Sequence, residues 1–214
     1  MKKLTFSFLI TMLLSTFVLP AARADQSVFV SGPDLTVTLP DELNYVLRDL
    51  PEDDPVWELF ETDRESLLSL LAERNIYLYA FPEDLSFELD IVVTQSDGME
   101  QFFDYNLYED EELLDVFSSM GEEMLNENEI AFYDRSIYQS GEPKFIHLRF
   151  DHELDGLQAH SCTYTTAYNG IGVSISLHSF EGTYTREQDA LLQSVVDSVR
   201  FQEKLSPSGA TFAQ

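Results

Sequence analysis

A hairpin of two β-prone segments joined by Asn169-Gly170 constrains the fold of this chain more than any other feature of its sequence. Asn-Gly favours a type I′ turn, in which both central residues have positive φ and the flanking strands pair directly. With these two residues in the turn, Tyr168 pairs with Ile171, and each further pair lies one residue outward. The segment 158–180 is therefore predicted to form two long antiparallel strands.

The predicted register divides the hairpin into an apolar and a polar face, because side chains alternate along a strand. The apolar face carries the pairs Thr166–Val173, Tyr164–Ile175 and Cys162–Leu177. The other face carries the polar pairs Thr165–Ser174, Thr163–Ser176 and Ser161–His178. We expect the first face to lie toward the core and the second to form the outer surface of the sheet.

Cys162, the only cysteine, falls on the predicted core face. A single cysteine excludes an intramolecular disulfide, so the fold has to depend on its hydrophobic core. A nucleophilic thiolate, with His160 two residues away as its partner, would need an electropositive and partly open environment. An aliphatic face in an acidic chain offers the opposite, and Cys162 is predicted to be a small buried hydrophobic residue.

The first 24 residues have the pattern of a secretory signal peptide. Lys2 and Lys3 form a basic start, an apolar run extends from Leu4 to Leu19, and Ala22-Arg23-Ala24 supplies small residues at a cleavage site. The run is short for a membrane-spanning helix, which is the alternative interpretation. We expect cleavage after Ala24 and a secreted, extracellular protein. Lipoprotein anchoring is excluded, because it requires a cysteine at the cleavage site.

The chain is strongly acidic, with a formal net charge of −27 in 214 residues. Such a surface repels phosphate backbones and anionic membranes, so we expect neither nucleic acid nor a membrane surface as a partner. Solubility is the simplest explanation of the charge, and adaptation to salt or loosely held divalent cations are alternatives. Beyond the signal peptide, no stretch is long and apolar enough to span a membrane.

Alternating strand and helix patterns predict one domain over 25–202, followed by a disordered tail at 203–214. Further strands are predicted at 28–31, 35–39, 45–47, 76–81, 87–94, 130–138 and 145–150. Capping boxes that start at Thr62 and Thr185 predict two helices. The apolar stripe Leu113, Phe117, Met120 and Met124 predicts a third, which begins at the acidic run 109–112. Residues 99–108 and 152–156 are predicted to be a loop and a polar turn.

No catalytic or metal motif emerges from the four histidines, His147, His152, His160 and His178. His152-Glu153 does not continue into the H-E-x-x-H zinc motif. Ser161 opposite His178 could be half of a hydrolase triad, but the serine lacks the G-x-S-x-G context. We therefore assign no catalytic, cofactor-binding or metal-binding residue from the sequence.

A weak calcium pattern is present in the segment Asp104 to Glu109. Asp104, Asn106 and Glu109 have oxygen-bearing side chains at offsets one, three and six, but the glycine of an EF-hand loop is missing. A solvated helix start explains 109–112 more simply.

Several segments together resemble the PsbP-like superfamily of α/β/α sandwich domains, most closely its uncharacterised exported proteins of Gram-positive bacteria. The matching segments are 35–40, 108–113, 144–150, 164–170, 175–179 and 189–201. The resemblance covers most of residues 35–201, and its C-terminal third carries it. None of these motifs is catalytic, so no site residue is transferred from the superfamily.

The resemblance implies an α+β fold, with a central antiparallel sheet of about six strands and helices packed on both faces. It also implies an accessory or protein-interaction role, because relatives of this kind act by docking on other proteins. We therefore expect a secreted, non-enzymatic domain at the bacterial cell surface, with no cofactor, an unidentified protein partner and an undetermined oligomeric state. Aromatic residues of the sheet or of 102–108 are candidate contacts. The alternatives are a hydrolase that uses a surface histidine with a serine or carboxylate, and an acidic envelope protein that binds divalent cations.

Overall fold

The computed structural model describes residues 25–94, 104–115, 117–118, 131–154, 156–180 and 182–202, with the side chains of 94 and 131–133 excepted. The predicted signal peptide, the predicted tail, Phe102, Phe103, Met120 and Met124 lie outside the described residues. The predictions made for those segments therefore remain predictions.

Ten strands in the described residues form two antiparallel sheets. The strands are β1 (Gln26–Val30), β2 (Leu35–Leu39), β3 (Asn44–Leu47), β4 (Ile76–Phe81), β5 (Phe87–Thr94), β6 (Ala131–Tyr138), β7 (Phe145–Leu154), β8 (Leu157–Tyr168), β9 (Ile171–Ser179) and β10 (Arg200–Phe201). One sheet has the order β1-β2-β10, and the other has the order β3-β4-β5-β9-β8-β7-β6. Helix α1 is Arg64–Glu73 and helix α2 is Arg186–Asp197. Residues 110–115 and 117–118 are also helical, and short 3₁₀ turns lie at Pro55–Leu59 and Tyr105–Leu107.

The prediction of an α+β fold with a single central sheet of about six strands and helices on both faces is wrong, because the described residues are mostly strand and form two sheets, of three and seven strands. Strand β2 does not join the large sheet, because its two edges are occupied by β1 and by the short β10. The β1–β2 hairpin and β10 form a second sheet, and this sheet lies with α2 over one face of the seven-stranded sheet. Sequence periodicity predicts individual strands but gives no information on which edge a short strand such as β10 joins.

The largest core lies between the two sheets and α2. Alternate residues of β5, β8 and β9 enter it, including Leu89, Ile91, Ile175 and Leu177. Helix α2 contributes a fully apolar stripe to the same core through Leu192, Val195 and Val196. Burial of side chains of this kind stabilises a fold by about 1.5–3 kcal/mol each.

The central hairpin is confirmed in its turn and in its register. Asn169 and Gly170 have φ angles of 50° and 79°, as a type I′ turn requires. Every predicted pair is present, from Tyr168–Ile171 to Ser161–His178. The predicted register therefore places Cys162 correctly in the core.

Local signals elsewhere are confirmed in part. Thr185 and Gln188 form the predicted capping box of α2. The first helix is capped one residue later than predicted, because Asp63 rather than Thr62 accepts a hydrogen bond, at 2.9 Å, from the backbone N of Ser66. Strand β7 extends to Leu154, so His152 belongs to a strand and not to the predicted polar turn.

The opposite face of the large sheet is covered in two places. Leu67 and Leu71 of α1 pack on Tyr79 and Phe81 at the β4 end of the sheet. The turn at Tyr105–Leu107 and the helical residues after it pack on β7 and β8. Among the described residues, no helix has the length and hydropathy needed to cross a membrane.

Candidate functional site

A cavity of about 130 Å³ lies between α1 and strands β4, β5 and β9. Its apolar wall consists of Leu67, Leu70, Leu71, Ile76, Val92 and Leu154. Its polar wall consists of Arg74, Tyr79, Glu88, Asp90 and His178. Small-molecule sites in proteins combine these features, namely a mostly apolar concave surface with a few convergent polar groups.

Strand alternation explains why two acidic residues line this cavity. In β5, Leu89 and Ile91 point into the main core, so Glu88 and Asp90 point to the opposite face, under α1. Strand β5 pairs with β9, which places Glu88 directly opposite His178. The sequence reveals the alternation of β5, but not that β5 pairs with β9, because some 80 residues separate the two strands.

Asp90 is the most unusual residue of the cavity, because its carboxylate is buried and incompletely paired. The residue is 8% exposed. Its Oδ2 lies 3.5 Å from His178 Nε2, whereas its Oδ1 is buried and has no hydrogen-bond partner among the described residues. A buried polar atom without a partner costs free energy, typically 1–3 kcal/mol.

Burial, charges and hydrogen bonds shift the pKa values of the other cavity residues. Burial would lower the pKa of His178, but the hydrogen bond to Asp90 and the charges of Asp90 and Glu88 outweigh it and raise that pKa. Burial is the main cause of a raised pKa at Glu88. Tyr79 donates a hydrogen bond of 2.9 Å to Glu88 Oε2, and burial is the main cause of its own raised pKa.

A polar row, buried except for the partly exposed His152, crosses four strands from the cavity to β7 and consists of Asp90, His178, Ser161 and His152. Ser161 Oγ lies 2.6 Å from His178 Nδ1 and 2.8 Å from His152 Nε2. Burial is the main cause that lowers the pKa of His152, to about 4, so this ring is neutral at pH 7. The simplest proton arrangement has His178 donate to Ser161, and Ser161 donate to His152.

Ser161, His178 and Asp90 have the composition of a hydrolase triad, but not its accessibility. Ser161 is completely buried and His178 is 8% exposed, so the expectation that this face forms the outer surface is wrong. Two imidazoles enclose the serine hydroxyl, and a nucleophilic serine has to reach the carbonyl of its substrate. Four histidines scattered over a flat surface would rule out the hydrolase alternative, and the structure does not have that arrangement. The serine beside His178 is nevertheless buried between two imidazoles.

A second cluster, on the opposite face of the sheet, contains His147, Cys162 and Asp189. Their ligand atoms all lie within 4.8 Å of one another, so these three residues could hold a metal ion. Arg149 donates a hydrogen bond of 2.6 Å to Asp189 Oδ1, so a cation already neutralises the only carboxylate of the cluster. A metal would have to displace this guanidinium.

Cys162 has a different histidine partner from the one considered on sequence grounds. His147 Nε2 lies 3.1 Å from Cys162 Sγ, whereas His160 Nδ1 lies 2.5 Å from Asp151 Oδ1. Burial raises the pKa of the Cys162 thiol to about 11, in spite of the hydrogen bonds from Tyr184 and Arg149. A thiol of this kind is a poor nucleophile at neutral pH.

Two side-chain oxygens of the weak calcium pattern, those of Asp104 and Asn106, have structural partners instead. Asp104 Oδ1 accepts a hydrogen bond from the backbone N of Asn106, and Asn106 Oδ1 accepts one from the backbone N of Lys144, both at 2.9 Å. The ammonium group of Lys144 also lies 2.8 Å from Asp110 Oδ1. The segment thus serves as an anchor for β7.

The candidate contact residues of 102–108 are only partly available to a partner. Tyr105 is buried and packs on Leu113 and Ile146, so it is not an exposed contact. Leu107, next to it, is 75% exposed. Phe29 and Leu157 are the other large apolar side chains classed as exposed among the described residues.

Comparison with known proteins supports the fold alone. No family model and no curated protein matches the chain. The solution structure of the cyanobacterial PsbP, CyanoP, from Synechocystis sp. PCC 6803 matches with a TM-score of 0.50 and 11% identity, over 89% of this chain and 99% of that one. The chain therefore has a PsbP-like fold. These matches do not support the finer resemblance to exported proteins of Gram-positive bacteria.

Two further solved structures match more weakly. A crystal structure of a protein from Bacteroides thetaiotaomicron VPI-5482 has a TM-score of 0.44 and 11% identity. That match covers 82% of this chain, which spans about half of that protein's length, 48%. The immunity protein TplEi of T6SS from Pseudomonas aeruginosa has a TM-score of 0.33 and 10% identity, over 78% of this chain and 67% of that one. At these TM-scores neither match supports an inference about function.

Proposed function

We propose that this chain is an exported accessory domain that works by binding at the bacterial cell surface, and that it is not an enzyme. The observation that supports binding most directly is the cavity under α1, which combines an apolar wall with the polar side chains of Tyr79, Glu88, Asp90 and His178. A PsbP-like fold is compatible with this role, but it is no argument for a particular ligand.

Binding rather than covalent catalysis is favoured by the burial of the two candidate nucleophiles. Ser161 and Cys162 are both completely buried, and Cys162 has a raised pKa. Covalent catalysis needs a nucleophile that is both activated and within reach of the substrate. Neither residue meets both conditions.

Export is the part of the proposal that depends on the sequence alone. The basic start, apolar run and A-x-A site of residues 1–24 favour secretion with cleavage after Ala24. Mass spectrometry of protein recovered from the culture medium or cell wall of the native host should give a mature N-terminus at Asp25. Retention of the intact N-terminus inside the cell would contradict export.

The binding role is tested by methyl NMR with a library of small fragments that contains neutral, cationic and anionic compounds. We expect some fragments to shift the methyl resonances of Leu67, Leu71 and Ile76, while those of Leu192 and Val195, in the other core, stay unchanged. Absence of such shifts across the whole library would overturn the binding role of this cavity.

The absence of covalent catalysis is tested with a fluorophosphonate probe for reactive serines. We expect no labelling of the folded protein, because Ser161 is sealed by His152 and His178. Stoichiometric labelling that is lost in Ser161→Ala would support the hydrolase alternative instead.

A further inference from the structure

We propose that the cavity under α1 binds a small organic cation, a primary ammonium group attached to a short apolar body. This inference rests on the proposed binding function and names the chemical class of the ligand. Four properties of the cavity support this ligand class: an unpaired acceptor, the balance of charge, the spacing of the polar groups and the shape of the apolar wall.

The unpaired acceptor is Asp90 Oδ1. Most buried polar atoms in proteins have a hydrogen-bond partner, and the exceptions in a native structure call for an explanation. In the described structure, Asp90 lies on the wall of a cavity and has a free acceptor atom. A donor supplied by a ligand would satisfy that atom once a rotation of the carboxylate turned it toward the cavity, and a charged donor would satisfy it best.

The charges that face the cavity leave room for a cation, because two carboxylates are balanced by one permanent cation and by a histidine that can release its proton. Strand β5 contributes two carboxylates, Glu88 and Asp90, and β4 contributes the neutral phenol of Tyr79. The positive groups are Arg74, the C-cap of α1, and the imidazole of His178, whose contact with Asp90 is long, at 3.5 Å. An ammonium group can form shorter bonds, of about 2.7–2.9 Å, with a carboxylate oxygen.

The spacing of the polar groups favours an ammonium group over a metal ion. Among the described residues, the ligand atoms of His147, Cys162 and Asp189 are the only set within 4.8 Å of one another, so Glu88, Asp90 and His178 do not form such a set. Divalent metals require several ligands at about 2.0–2.6 Å around one point. An ammonium group can bind through a charge-assisted hydrogen bond to one carboxylate, such as that of Asp90, and does not require several converging ligands.

The size and the apolar wall define the body of the ligand. The cavity holds about 130 Å³, and a dry engineered cavity of about 150 Å³ is enough for benzene. Leucines of α1 line the side opposite the carboxylates. A body of about five or six carbon atoms would occupy the apolar part, while the ammonium group contacts Asp90.

The test compares isothermal titration of 3-methylbutylammonium with that of its neutral isostere, 3-methylbutan-1-ol, at pH 7. We expect the amine to bind at least tenfold more tightly than the alcohol. Asp90→Asn should reduce the amine's affinity at least tenfold and leave that of the alcohol unchanged. The matched control is Glu153→Gln, which removes an exposed carboxylate from β7, outside the cavity, and should change neither affinity.

A second variant covers the case in which Asp90→Asn does not fold. Leu70 is only partly buried, so Leu70→Trp should be tolerated and should fill the apolar wall, with loss of both ligands. Equal affinities for amine and alcohol would overturn the ammonium proposal and leave the binding function intact. Amine binding that persists unchanged in Leu70→Trp would also overturn it, because the ammonium group would then bind elsewhere.

Discussion

Ser161 Oγ lies 2.6 Å from His178 Nδ1, and both residues are buried inside the domain. The register of the Asn169-Gly170 hairpin predicts that the two side chains face each other, but it does not predict their burial. This difference determines their chemistry, because an exposed pair could activate a serine for attack on a substrate. The buried pair instead links the cavity residue Asp90 to His152 on β7.

The first prediction concerns the pH dependence of stability that arises from His178. Its pKa is raised in the folded state, so its contribution is fully present below the ordinary pKa of about 6.5 and is lost as pH rises through the folded-state value. Asp90→Asn should therefore destabilise the protein by about 1–3 kcal/mol near pH 6, and by less at higher pH. Urea unfolding at a series of pH values measures the effect.

An NMR titration of the histidine ring protons provides the control for this prediction. His178 should titrate above pH 6.5 in the wild type and at lower pH in Asp90→Asn. His147 lies on the opposite face of the sheet, where burial is the main cause of its lowered pKa, and its titration should not change. A wild-type His178 that titrates below pH 6.5 would contradict the assignment of Asp90 as its partner.

The second prediction concerns the reactivity of the single thiol. Cys162 is completely buried and its pKa is raised to about 11, so a thiol reagent at pH 8 should not label the folded protein. In urea, the same reagent should label one thiol per chain. Labelling of the native protein within minutes would show that the cluster of Cys162, His147 and Asp189 is open.

The sequence predicts those parts of the structure that depend on neighbours in the chain. It does not predict which distant strands pair. The hairpin turn, the α2 capping box and the core position of Cys162 are determined by neighbours in the chain, and all three are predicted correctly. The cavity requires β5 to pair with β9 and α1 to cover both strands. No local pattern contains that information, so the sequence predicts Glu88 and Asp90 only as parts of a strand.

The same reason explains the errors in assigning sheet faces. Polar residues such as Ser161, Thr163 and Ser176 favour an exposed face when only the hairpin is considered. In the structure they are buried, and Thr163 donates a hydrogen bond of 3.1 Å to Ser176 across the strands. Alternation predicts which residues share a face, whereas the elements that cover the face decide whether it is buried.

The third prediction concerns calcium at the segment Asp104 to Glu109. The side-chain oxygens of Asp104 and Asn106 accept backbone hydrogen bonds, and the ammonium group of Lys144 lies beside Asp110. Calorimetric titration with calcium should therefore show no saturable heat that depends on Asp104. A saturable signal that disappears in Asp104→Asn would contradict this assignment and would support the cation-binding alternative.

The fourth prediction concerns the close approach of Gly32 to Tyr77. A Cβ atom at position 32 would lie 1.9 Å from Tyr77 Cε1, which is an impossible contact. The Tyr77 ring cannot move away freely, because the guanidinium of Arg48 lies 4.0 Å from its centroid. Arg48 is itself fixed by hydrogen bonds of 2.6 Å to the carbonyls of Ile76 and Leu71.

Gly32→Ala should therefore destabilise the protein by about 1–3 kcal/mol, the usual cost of overpacking, as measured by urea unfolding. Gly141→Ala is the matched control and should change stability by less than about 0.5 kcal/mol, because no atom lies within 4 Å of its added Cβ. Tyr77→Ala removes the ring, so the cost of Gly32→Ala should largely disappear in that background. An equal cost in both backgrounds would show that the backbone of the β1–β2 turn, and not the Tyr77 ring, requires glycine at position 32.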